Sequence, residues 1–237
     1  MNEKLLDQLV RKLCKTYGER LVSVILYGSA ATGEHHEKFS DYNILCILSD
    51  LTGRELAASR DIFLWWREQG SPSPLLLTER EVETSTDCFA IEFTDIKHHH
   101  RLLFGKDVLA TLAIDTSFYR AQVEHDLRAK LLRLRQKVPG IFSDSDLLRR
   151  LLLDSVSTFC VLFRHALALH GVESPPRKRE ILAHAQRRFG IDPAPFEQLL
   201  DVREERIKAR DLDPQSVLGP YVEGISKVID AVDRLEK

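Results

Sequence analysis

Two apolar runs rich in β-branched residues stand close together near the start of the chain: "LVSVILYG" (21–28) and "YNILCIL" (42–48). Each has the length and composition of a strand, and Gly28 stops the first. The second is apolar at nearly every position after Asn43, the pattern of a central strand covered on both faces. A sheet of this kind needs helices above and below it, and the flanking sequence provides them. Residues 3–16 place Leu5, Leu6, Leu9, Val10 and Leu13 at helical spacing, and "GRELAASRDIFLWWREQ" (53–69) predicts a second helix ended by Gly70.

"SPSP" (71–74) predicts a turn and "LLLT" (75–78) a short third strand. "FAIEFTDI" (89–96) alternates and predicts a fourth strand, followed by a helical "KHHHRLLFG" that stops at Gly105. From about residue 117 the pattern changes to successive helices over 117–138, 144–170, 176–189, 193–209 and 214–236. Breakers separate them at Pro139-Gly140, Gly171, Pro175-Pro176, Gly190, Pro193 and Pro214. The last helix stacks Val217, Tyr221, Ile225, Val228, Val232 and Leu235. The expected organisation is an α+β domain, a mixed sheet with helices, over residues 1–112, then an all-α helical bundle over 117–237.

Composition narrows the function classes. Of the 237 residues, 43% are apolar and 30% charged, a globular profile, and the net charge of −2 sets up no field for nucleic acid or an anionic membrane. No run approaches the ~18 consecutive apolar residues of a membrane span. The N-terminal "MNEKLLDQLVRKLCKTYGER" is a charged amphipathic helix without a signal peptide's apolar core, so a cytoplasmic location is expected. Cys14, Cys46, Cys88 and Cys160 form no closely spaced pair and read as small hydrophobes in a reducing compartment.

The chemistry concentrates in residues 25–48, "ILYGSAATGEHHEKFSDYNILCIL". Gly28 permits a sharp turn and close backbone approach, and Ser29 adds a hydroxyl, together a seat for phosphate oxygens. Asp41 and Asn43, two apart at the start of a strand, leave the same face. Two oxygen ligands on one face suit a hard cation such as Mg²⁺, which in turn suits a polyphosphate.

A strand, Gly28-Ser29, about a dozen residues, then Ser40-Asp41-Tyr42-Asn43 opening a second strand resembles the nucleotidyltransferase superfamily, the DNA polymerase β-like fold. The layout is similar to its minimal and aminoglycoside-type members, which carry a helical domain after the catalytic one. The resemblance covers roughly residues 1–110. It implies that carboxylates on the second strand and on a later strand hold two Mg²⁺ ions, and that a nucleoside monophosphate passes from a nucleoside triphosphate (NTP) to an acceptor hydroxyl. By the same resemblance Gly28 and Ser29 bind the triphosphate, Asp41 is the first metal ligand, and Asn43 holds the place of the second. Glu92 is the third carboxylate, with Asp95 in reserve. The acceptor is a small molecule or a protein, and a homodimer is compatible with this reading.

Asn43 departs from the family pattern, because an amide can ligate Mg²⁺ but carries no charge. A catalytically degenerate nucleotide or partner binder is therefore the alternative expectation, and a HEPN-type ribonuclease in the helical domain a second one. Other motifs have blander readings. Asp95 suits a helix N-cap. His98, His99 and His100 are adjacent, so on a helix they point in three directions, and metal pairs want i, i+4 spacing. Residues 118–137 carry six basic against two acidic side chains, net +4, without the aromatic interleaving of a nucleic-acid surface. Arg164 and His170, six apart, resemble the Arg…His motif of HEPN ribonucleases; the surrounding "FCVLFRHALALHG" reads as a core helix.

Overall fold

The computed structural model describes residues 2–31, 42–173 and 177–235. The chain divides into two compact units, Met1–Ser117 and Phe118–Lys237.

The first unit is built on a four-stranded sheet of order β3-β2-β1-β4, with β1 Leu21–Tyr27, β2 Asn43–Leu48, β3 Leu75–Thr78 and β4 His100–Gly105. β1 pairs antiparallel with β2 and with β4, whereas β2 and β3 are parallel. A parallel pair needs a crossover. Here α2 (Gly53–Ala58) and α3 (Arg60–Glu68) supply it. The single helix predicted over 53–69 is thus two helices meeting at Ser59, whose Oγ donates to the Leu56 carbonyl at 2.7 Å and competes with the helical ladder. The buried Glu55 carboxylate accepts from the Thr52 hydroxyl and from its N–H at 3.0 Å, and pairs with Arg20 below β1. The Thr52 hydroxyl in particular holds that carboxyl below its usual range, opposed by burial.

Alternation along the strands divides the core in two. On one face Val24, Leu26, Ile44, Cys46 and Leu48 pack against Leu6, Leu9 and Leu13 of α1 (Glu3–Tyr17) and against Ile62 and Trp66 of α3. On the other, Ile25, Leu45 and Ile47 pack against Val82 of α4 (Glu79–Thr84), Phe93 and Ile96 of α5 (Ala90–His98), and Leu109 and Leu112.

The predicted assignments over 89–105 are reversed. "FAIEFTDI" is helical: Ala90, Phe93 and Ile96 at three-residue spacing are buried together with Ile91, and so short an alternation is compatible with either period. The predicted helix after it is β4, recruited by the open edge of β1. Val24 faces Phe104 and Ile25 faces Leu102, so Leu103 is an extra residue that packs with the α1 face. Gly105 ends the strand at φ +81°, where a Cβ would lie 2.0 Å from the Val22 carbonyl oxygen.

The helical unit consists of α6 (Tyr119–Ile141), α7 (Ser145–Leu169), α8 (Lys178–Phe189), α9 (Ala194–Arg203) and α10 (Pro214–Asp233). α9 stops six residues before its predicted end, where Glu205 turns the backbone to φ +57°. α7 contacts each of the other four. It is long and apolar enough to cross a bilayer by length and composition, and half of that window is buried inside the protein. Phe159, Phe163, Phe196 and Tyr221 form its aromatic core, with ring centroids 4.7–5.9 Å apart, and the buried Tyr221 hydroxyl meets Ser155 Oγ at 2.9 Å.

Candidate functional site

β1 ends at Tyr27, and Gly28 turns the chain with φ +78° into a short 3-10 turn, Gly28–Ala30. The turn is held on both sides: Gly28 N–H donates to the His99 carbonyl at 3.1 Å, and the Gly28 carbonyl accepts from Ala31 N–H at 2.9 Å. Across the sheet, Tyr27 lies opposite Asn43 on β2 and opposite His100 on β4. Facing residues of paired strands share a face, so Asn43, Tyr27 and His100 form one row beside the Gly28 turn. The Asn43 amide reaches the turn itself, with Nδ2 3.3 Å from the position a Gly28 Cβ would take.

The row is backed by the segment after β4. His100 Nδ1 is 3.0 Å from the Lys97 carbonyl, and Nε2 is 3.3 Å from Asp107 Oδ2. The other Asp107 oxygen accepts from Leu109 N–H at 3.1 Å and Ala110 N–H at 3.2 Å, and Lys97 Nζ donates to the Leu112 carbonyl at 2.7 Å. Burial pushes the Tyr27 phenol above its ordinary pKa, keeping it a neutral hydroxyl.

Of the predicted site residues, Gly28 and Asn43 meet. Asp41 and the Ser29 side chain lie outside the described residues, as do His35, His36 and Lys38. Glu92 is not on a strand: it sits exposed in the first turn of α5, while its neighbours Ile91 and Phe93 are buried. Asp95 is inside the same helix and not at its N-cap; its carbonyl accepts from His99 N–H at 2.9 Å. No group of three or more His, Cys, Asp or Glu side chains gathers in metal-binding fashion among the described residues. The row through Tyr27 and His100 is not legible in the local sequence. Its place directly before Gly28 marks Tyr27, but a helical pattern over 97–105 gives His100 no register against β1.

The histidine triplet closes α5 and opens β4 instead of lining a helix. His98 Nδ1 contacts the Thr94 carbonyl at 2.8 Å. In the helical unit, Arg164 lies within α7 and His170 caps its end. Arg188 of α8 reaches His170 Nδ1 at 3.0 Å and Phe189 packs on the ring edge with centroids 5.1 Å apart. Burial first, and Arg188 second, depress the His170 pKa. On the basic helix, Arg120 and Arg128 both pair with Glu124, at 2.9 and 2.8 Å, so part of its charge is spent locally.

Residues 6–99 match the family model of the nucleotidyltransferase domain. No curated protein matches the chain. Among solved structures, spectinomycin adenyltransferase AAD(9) from Enterococcus faecialis, crystallised with ATP and spectinomycin, is similar at 14% identity. The match covers 98% of this chain and 99% of that one, with a TM-score of 0.56, a likeness of fold. A toxin-antitoxin crystallised with AMP-PNP matches over 61% of this chain and 98% of its own at 18% identity and TM-score 0.32. A tri-AMPylated Shewanella oneidensis HEPN toxin in complex with its MNT antitoxin matches over 60% and 96% at 16% identity and TM-score 0.29.

Proposed function

We propose that this chain, whose residues 6–99 match the model of the nucleotidyltransferase domain, binds an NTP at the Gly28–Ser29 turn and transfers its nucleoside monophosphate to an acceptor hydroxyl. The observation that carries the reading is the junction of Gly28 and Asn43. A left-handed glycine turn at the end of β1 abuts the first residue of β2, within the stretch that matches the nucleotidyltransferase domain. Backbone without a Cβ lets phosphate oxygens approach closely. In the transfer, the acceptor oxygen forms a bond to the α-phosphorus, the bond to the bridging oxygen breaks, pyrophosphate leaves, and the hydroxyl proton passes to solvent or to a nearby base. The AAD(9) structure holds ATP and spectinomycin, which makes ATP and a small polyhydroxylated molecule the first donor and acceptor to test.

Of the cation ligands that the resemblance implies, Asp41 lies outside the described residues. Asn43 is neutral, Tyr27 and His100 complete its row, and Glu92 is exposed on α5. Mg²⁺ then arrives as the usual companion of the NTP. The neutral Asn43 also favours a second reading, a nucleotide binder with little or no transfer.

Incubation with each α-labelled NTP, a panel of hydroxylated acceptors, and Mg²⁺ or Mn²⁺ tests the proposal. Labelled acceptor together with released pyrophosphate supports transfer. A nucleotide-dependent thermal shift without either product supports the binder, and gain of transfer in Asn43→Asp would strengthen that conclusion. No shift and no product for any NTP refutes both readings.

A further inference from the structure

We infer that this chain holds the triphosphate through the Gly28–Asn43 junction with little or no requirement for a divalent cation; the inference rests on the nucleotide reading proposed above. Its basis is the charge of the described groups around the turn. A site lined by carboxylates repels a polyphosphate until cations intervene. At about 5 Å and the effective dielectric of a protein surface, one such like charge weakens binding on the order of a hundredfold. In "SDYN" (40–43) only one carboxylate remains, because position 43 is an amide.

The structure extends that change across the sheet. The row running from Asn43 through Tyr27 to His100 contains no carboxylate. Asn43 contributes an amide NH₂ and Tyr27 a phenol, both able to donate, while both ring nitrogens of His100 are engaged by the Lys97 carbonyl and Asp107. Asp107, the carboxylate against His100, keeps its charge but is held away from the turn, one oxygen on the backbone N–H groups of Leu109 and Ala110 and the other on His100. The Asn43 amide lies at the glycine turn, 3.3 Å from the position a Gly28 Cβ would fill. A carboxylate there could hold a phosphate only through a cation, whereas an amide can donate to the phosphate oxygen directly.

Calorimetric titration of the full chain with ATP, and separately with inorganic tripolyphosphate, in EDTA and in Mg²⁺ tests this. For the wild type, removing Mg²⁺ is expected to change the ATP Kd by less than about threefold, well under the tenfold that 1.4 kcal/mol represents. Asn43→Asp is expected to bind at least about tenfold more weakly than wild type in EDTA and to recover in Mg²⁺, since the added charge then has a cation to offset it. Asn43→Ala removes the donor without adding charge and is expected to weaken binding similarly in both buffers. Wild-type binding that collapses in EDTA overturns the inference and leaves the nucleotide reading standing. Asn43→Ala binding as tightly as wild type in EDTA also overturns it. No binding of ATP in either buffer overturns both.

Discussion

The Asn43 amide packs onto Gly28, with Nδ2 3.3 Å from where a Cβ would project, at a residue whose φ is +78°. Gly28→Ala therefore meets two obstacles, a left-handed backbone and an occupied space. The backbone component alone costs about 1–2 kcal/mol. Chemical denaturation is expected to show a loss of that order, and the thermal shift with ATP is expected to disappear. A Gly28→Ala protein that keeps the wild-type nucleotide response would remove the turn from the site.

Gly105 closes β4 under a harsher constraint. A Cβ there would stand 2.0 Å from the Val22 carbonyl oxygen and 3.0 Å from its carbon, with φ at +81°. Neither atom is the end of a flexible side chain, so the edge strand must shift. Gly105→Ala is expected to cost more than about 2 kcal/mol, the range of strained backbone positions. Hydrogen exchange should localise the loss to 100–105 and to the β1 amides that pair with it.

Glu55 gives the first unit an acid-sensitive contact. Its folded pKa lies below the ordinary 4.5, chiefly through the Thr52 hydroxyl, with the Thr52 N–H and Arg20 adding to the effect. The unfolded state therefore binds the proton more readily. The stabilisation is fully present above about pH 4.5 and is lost as pH falls through the lower folded value. Glu55→Gln is expected to flatten this part of the stability profile, measured as denaturation midpoint against pH. A variant profile as steep as wild type below pH 4.5 would assign the acid loss to other carboxylates.

His170 acts at milder pH in the helical unit. Burial and the Arg188 guanidinium hold its folded pKa below the ordinary 6.5. The neutral ring is the one the fold accommodates. Stability from this site is present above about pH 6.5 and is lost as pH falls toward the folded value. His170→Asn is expected to reduce the slope of stability against pH just below 6.5. Arg188→Ala is expected to move the NMR titration midpoint of His170 upward, and an unmoved midpoint would exclude Arg188 as a cause. Both expectations fit a histidine engaged in packing α8 on α7.

Elements whose patterns have a single physical solution are legible locally. The β-branched run 21–28 and the near-continuous apolar run 42–48 are the strands β1 and β2. Gly28 could be placed at a turn because its neighbours are strand-like and it alone tolerates positive φ. The long helices from Tyr119 onward followed from sustained three-to-four spacing. Tertiary structure decided residues 89–105, where segments of eight or nine residues fit either period. The hydrophobic face waiting over Ile25, Leu45 and Ile47 drew Phe93 and Ile96 into a helix, and the open edge of β1 drew His100–Gly105 into a strand. That exchange moved Glu92 to an exposed helix position and brought His100 into the row with Tyr27 and Asn43. Asn43 could be read from the sequence as a missing charge. Its neighbours across the sheet are set by long-range strand pairing, which local sequence does not encode.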